Sequence, residues 1–185
     1  MRKIIIATLL LATLVARGQS NTDKTPTNSN KVAGGWKTYN GTNYSVQYPP
    51  NWELNTNGQM GTSFIFFSPL ENDKDQFKEN VNLLVQDLRG SNIDLNKFVE
   101  ISEEQVKTMI TNSTLEESSR VKSSKHEYHK MIYIGDQSIY RLKFEQYFWI
   151  VSQQAYVLTF TCEQTKFSEY KEAGERILNS FSFNK

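Results

Sequence analysis

Cysteine is nearly missing from this chain of 185 residues: Cys162 stands alone. An internal disulfide is therefore excluded, and stability has to come from packing. Histidine is almost as scarce, with only His126 and His129. They sit three apart in His126-Glu-Tyr-His129, whereas the zinc-protease signature needs two histidines four apart on a helix. The segment reads as a strand, where a spacing of three sends side chains to opposite faces, so surface or strand-edge histidines are expected rather than a metal pair. No Gly-x-Ser-x-Gly elbow, phosphate-cradling loop or dinucleotide fingerprint occurs, and no catalytic residue or cofactor is assigned. No run is apolar for the roughly 20 residues a membrane helix needs. Charge of one sign is also lacking, with 21 basic against 20 acidic residues. A near-neutral chain has no electrostatic footprint for nucleic acid.

What is present begins at the N-terminus. Met1-Arg2-Lys3 is basic, Ile4 to Ala16 is apolar, and Ala16-Arg17-Gly18 puts small residues before Gln19. That order is a secretory signal peptide over residues 1–18, and it predicts an exported protein, periplasmic or secreted, with no stable membrane span once the signal is removed. No cysteine follows the apolar run to carry a lipid anchor. Cleavage would remove Arg2, Lys3 and Arg17, leaving 18 basic and 20 acidic residues. Residues 19–35 form a linker: eleven of the seventeen are Ser, Thr, Asn, Gly or Pro, too polar to offset the entropy of ordering. A single domain is expected over 36–185, and a monomer.

Inside that domain the hydrophobic period is mostly two. Tyr44, Val46 and Tyr48 alternate with polar neighbours, and Pro49-Pro50 stops the strand. Trp52 opens a short extended piece. Thr62 to Phe67 is apolar on both faces, as in a central strand, and Val81 to Leu88 is another strand. The period then changes. Asp94 is placed as a helix N-cap, and Leu95, Phe98, Val99, Val106, Met109 and Ile110 recur at helical spacing to about Thr111, with Glu103 and Lys107 paired on the wet side. Strand patterns return at Glu116–Lys122 and at His126–Ile134, which is expected to turn at Gly135-Asp136. Ile139–Val151 sends Tyr140, Leu142 and Phe144 inward and Arg141, Lys143 and Glu145 outward. Ser152-Gln153 turns the chain into Gln154–Thr161. Tyr156, Leu158, Phe160 and Cys162 share one face there, which makes the thiol a small buried hydrophobe. A second helix is expected over Thr165–Asn179, with Phe167, Tyr170, Gly174, Ile177, Leu178 and Phe181 along one stripe. Antiparallel strands with two helices predict an α+β sandwich.

Two features invite a binding role. The acidic loop Glu71-Asn-Asp73-Lys-Asp75 offers oxygens to a hard cation such as calcium, through Glu71, Asp73 and Asp75. Lys74 opposes a cation, the glycine and glutamate of a calcium loop are missing, and a solvated turn is the plainer reading. Tyr147 and Trp149 belong to an aromatic stretch with Phe148. Adjacent strand positions leave at least one of Phe148 and Trp149 facing away from a core unless both sheet faces are covered. Tyr147 and Trp149 are therefore the candidate binding aromatics, with packing in the core of a helix-covered sheet as the plainer reading.

In order and spacing, Tyr44-Ser-Val-Gln-Tyr-Pro-Pro-Asn-Trp52, Phe64-Ile-Phe-Phe-Ser-Pro69, Phe77-Lys-Glu-Asn-Val-Asn-Leu-Leu-Val85, Ala155-Tyr-Val-Leu-Thr-Phe160, the late helix and Ile177-Leu-Asn-Ser-Phe181 run from one end of the domain to the other. This series resembles the PsbP-like superfamily, which includes the photosystem II extrinsic subunit and Mog-type proteins. The resemblance implies an antiparallel sheet flanked by helices, an α-β-α sandwich. It also implies a non-catalytic accessory module that contacts a protein or cell-envelope partner, and it transfers no site residue. The alternatives are a periplasmic protein binding a small ligand or calcium and, from the enzyme class, a carboxylate-dependent hydrolase.

Overall fold

The computed structural model describes residues 35–122 and 126–184. The segments read as signal peptide and linker lie outside these residues, save for Gly35. The first strands are β1 (Lys37–Asn40), β2 (Tyr44–Tyr48), β3 (Glu53–Asn55), β4 (Thr62–Phe67) and β5 (Asn80–Asp87). Helix α1 (Leu95–Met109) follows, then β6 (Thr111–Val121), β7 (Tyr128–Gln137), β8 (Tyr140–Val151) and β9 (Gln154–Glu163). A 3₁₀ turn at Gln164–Lys166 leads into α2 (Phe167–Ser180), and β10 (Ser182–Phe183) closes the chain. Seven strands form an antiparallel sheet in the order β3-β4-β5-β9-β8-β7-β6, and β1, β2 and β10 form a small second sheet.

Helix α1 carries the chain from β5, inside the sheet, out to the edge strand β6 and covers one face on the way. Its start is set by Asp94, whose carboxylate accepts the Lys97 backbone N–H at 2.8 Å. Phe98, Val99 and Val106 pack there with Met131, Tyr133, Leu142, Phe144, Phe148 and Val157. Helix α2 and the small sheet cover the other face, over Phe64, Phe66, Val81, Leu83, Leu158 and Phe160. The fold is the expected α-β-α sandwich with a three-stranded flap.

Several local expectations shift. Strand β7 runs through Gly135-Asp136 and turns instead at Ser138-Ile139. Gly135 is small for another reason: a Cβ there would lie 2.2 Å from Cγ2 of Ile110, so the glycine lets the end of α1 touch the strand. The polar segment near Glu116 belongs to an eleven-residue edge strand. Glu103 turns from Lys107 to the Ser118 hydroxyl. Glu145, expected outward, is 0% exposed, because α2 lies over the face that period-two alternation assigns to solvent. Phe148 and Trp149 are both buried, in opposite cores, since both sheet faces are covered.

Candidate functional site

The acidic loop between β4 and β5 folds against the start of α2. Asp75 shapes it by accepting two backbone N–H groups, from Glu71 at 2.9 Å and from Phe77 at 3.1 Å. Into this loop reaches Lys166, from the 3₁₀ turn before α2. Its ammonium lies 3.2 Å from Glu71, 3.3 Å from Glu163 and 3.5 Å from Asp75. The Tyr170 hydroxyl donates to the other oxygen of Glu71 at 3.1 Å. Partial burial works against the charge on Lys166, yet Glu71, Glu79 and Asp75 hold it well above the ordinary lysine range. Two of the three proposed cation ligands, Glu71 and Asp75, are thus brought together, around a tethered ammonium. Asp73 is exposed and makes no part of this cluster.

Beneath the ammonium is Glu79, 0% exposed. The Ser68 hydroxyl donates to it at 3.2 Å and the Cys162 thiol approaches at 3.8 Å. Burial pushes its carboxyl up to about 7, with Lys166 and Ser68 pulling the other way. Cys162 is fully buried, and burial together with Glu79 pushes its thiol up, so it is held as a neutral SH.

A second charged cluster lies on the same sheet face, beside α2. Lys130 is 3.4 Å from both Glu145 and Glu117, and Lys143 is 2.6 Å from Glu116. Burial raises the Glu145 carboxyl and Lys130 opposes it. Tyr147 and Trp149 share this face. They are 4% and 6% exposed, Tyr147 donating to Asn179 at 3.3 Å and Trp149 packing on Phe181 with ring centroids 5.0 Å apart. The candidate binding aromatics are therefore part of the core beneath α2 and the flap.

The histidines part company. His126 is exposed and sets its ring edge-on to Phe183, centroids 5.0 Å apart. His129 is buried on the α1 face, not at the surface, stacked on Phe148 at 6.4 Å. Its Nε2 is 2.6 Å from the Ser118 hydroxyl oxygen, and Ser118 donates its only hydrogen to Glu103. Nε2 must then carry the proton and act as donor. In a hydrolytic triad the imidazole takes the serine's proton and the acid holds the far ring nitrogen. Here the acid sits on the serine, so the trio works as a clasp between α1 and the sheet edge.

This arrangement of a long antiparallel sheet, one helix on each face and a short flap has close counterparts among solved structures. The cyanobacterial PsbP protein CyanoP from Synechocystis sp. PCC 6803 superposes with a TM-score of 0.60, at 13% identity, over 85% of this chain and 98% of that one. LpqN of Mycobacterium tuberculosis, described as involved in cell envelope biogenesis, gives 0.61 at 8% identity over 82% and 91%. PA94 of Pseudomonas aeruginosa, a protein of unknown function and putative regulator, gives 0.56 at 13% identity over 80% and 96%. The chain has the PsbP-like fold. No family model matches the sequence, and no curated protein matches it either.

Within the PsbP-like fold, Lys166, Glu163, Glu79 and Tyr170 are the site residues that the sequence reading passed over. Glu79 carried a usable signal. It lies in period two with Val81 and Leu83, which face the core, so a strand reading extended two residues upstream places a carboxylate inside. Lys166 carried none, because Glu71 and Asp75 lie in a loop far upstream and only Glu163 is its neighbour in sequence. Among the described residues no group of three or more histidine, cysteine or acidic side chains is placed to hold a metal ion.

Proposed function

We propose that this chain is exported and serves as a non-catalytic accessory module, contacting a protein or another component of the cell envelope. The observation that carries the reading is the fate of its charged side chains. Glu71, Asp75 and Glu163 close around Lys166, Glu117 and Glu145 share Lys130, and Glu79 is sealed beneath. These groups face one another instead of a cleft, so they stabilise a scaffold and leave the outer surface for recognition. Export is supported by the signal-like first eighteen residues. No described helix is long and apolar enough to cross a membrane. The likeness to CyanoP and to LpqN adds an analogy of fold, and fold alone does not transfer a function.

The test is affinity capture of the exported form from its own cell envelope, with fractionation to locate it. A reproducible stoichiometric partner supports the reading. A clean monomer that keeps a small molecule through purification replaces it with a ligand-carrying role. Calcium titration by calorimetry addresses the other alternative: micromolar binding that is lost in Asp75→Ala would mean that the loop exchanges Lys166 for a metal ion.

A further inference from the structure

The seven-stranded sheet ends in two unequal edges. One is β3, three residues long; the other is β6, eleven residues long, and no described strand lies outside it. Long free edges offer unpaired backbone N–H and C=O groups, and proteins usually blunt them. β6 is blunted in its first half only. Its register shifts between Thr111 and Thr114 and again between Leu115 and Glu117, after which Glu117 to Val121 pairs without interruption with Ile132 to Tyr128. The regular half is therefore open to a further strand.

The chemistry along this half is specific. Helix α1 runs above it, tied down where Asn96 accepts from Arg120 and where Glu103 accepts from Ser118. Glu103 thus stands over one face of the edge. Glu117, on the opposite face, keeps 39% of its side chain exposed although Lys130 lies 3.4 Å away. A strand laid beside Glu117 and Ser118 would meet one carboxylate on each face, and consecutive residues of a strand point to opposite faces. A second copy of this chain is a poor fit. Two-fold pairing about Ser119 would set Glu117 against Val121 and engage only the five regular residues, well short of the roughly 800 Å² per partner that a stable dimer buries.

We propose that β6, from Glu117 to Val121, accepts an extended segment of a partner protein as an added strand, with two adjacent basic residues of that segment set against Glu103 and Glu117. Main-chain pairing supplies the affinity and the dibasic step supplies the register. This rests on the partner-contact reading above and gives it a surface.

The probe is a blocked heptapeptide of threonine and valine with two central lysines, titrated into residues 19–185 and followed by amide NMR. Saturable shifts confined to β6 and the adjoining flank of α1 are expected. Methylating alternate backbone nitrogens of the peptide should abolish them, and exchanging its lysines for glutamates should weaken binding at least about fivefold, as should Glu103→Gln with Glu117→Gln. Binding that survives N-methylation, shifts on another surface, or none up to about 1 mM overturns the proposal. So does a chain that is already dimeric through β6. A captured partner that crosslinks elsewhere would overturn this surface while leaving the accessory function in place.

Discussion

The two faces of the central sheet are closed by different means. Over one face, α1 lays Phe98, Val99 and Val106 on the strands, and its outer flank is fastened by polar contacts from Asn96 to Arg120 and from Glu103 through Ser118 to His129. Over the other, α2 and the flap build a continuous array of rings. Tyr48 stacks on Phe66 at 4.3 Å, Tyr39 meets Phe64 edge-on at 5.5 Å, and Phe181 joins Tyr44 at 5.3 Å to Trp149 at 5.0 Å. That second face also hides Glu79, Glu145 and Cys162. Aromatic area dominates core energetics, so the α2 face should carry most of the stability, while the α1 face, held partly by hydrogen bonds at its rim, should yield first.

The largest effect is expected from Phe160→Ala. This ring is fully buried, lies 5.6 Å from Phe167 and abuts Gly174 of α2, so its loss opens a cavity where helix and sheet meet. Such truncations cost about 3–5 kcal/mol, and urea unfolding would report it. A loss below about 1 kcal/mol would mean that the α2 face is not the main support.

Next comes the charge hidden on that face. Glu79 has its carboxyl at about 7 in the folded protein against 4.5 in the unfolded chain. The folded state therefore holds this proton longer. Its favourable contribution is complete below pH 4.5 and is lost as pH rises through 7, by on the order of 3 kcal/mol. Glu79→Gln should remove that dependence, so the variant gains on the wild type between pH 5 and pH 8 in thermal melts. Parallel curves for the two proteins would refute the assignment.

A smaller effect separates two close approaches. A Cβ on Gly174 would come within 2.5 Å of the Phe160 ring, and one on Gly135 within 2.2 Å of Ile110 Cγ2. The Phe160 ring is 0% exposed inside the core, whereas Ile110 is 8% exposed and stands at the C-cap of α1, where the helix has ended. Gly174→Ala should cost about 1–3 kcal/mol, as overpacking does, and Gly135→Ala less. The reverse order would make α1 the more rigid attachment.

The same contrast explains what could be read in the sequence. The α2 face was legible wherever alternation and helical stripe agreed: Tyr44, Val46 and Tyr48, the run from Tyr156 to Cys162, and the stripe from Phe167 to Leu178 all pack as their spacing implies. Asp94 was legible as a cap because its carboxylate acts within three residues. Glu145 was misread because period two fixes which residues share a face, not whether that face meets water, and α2 arrives from far along the chain. Gly135 looked like a turn because sequence cannot distinguish a glycine that bends from one that makes room. The Lys166 cluster escaped for a related reason. Two of its carboxylates, Glu71 and Asp75, were visible as a loop, but the ammonium that decides whether a metal is needed comes from another element.

The smallest expected effect lies on the α1 face and has the opposite sign to that of Glu79. Burial pulls the His129 imidazole below its ordinary value, Arg120 adds to this, and Glu103 and Glu117 oppose it. The unfolded chain therefore takes up the proton first as pH falls below 6.5, and the stability that the neutral ring contributes is lost from there downward. Acidification should thus weaken the α1 attachment while it relieves the carboxyl under α2. His129→Gln keeps an amide to meet Ser118 and removes the titration, so its melting temperature should fall less than the wild type's between pH 6.5 and pH 5. The cleanest reading comes in a Glu79→Gln background, where the opposing contribution is absent. If His129→Gln keeps the parent's full acid-side loss there, the clasp of Glu103, Ser118 and His129 is not what ties α1 to the sheet edge at neutral pH.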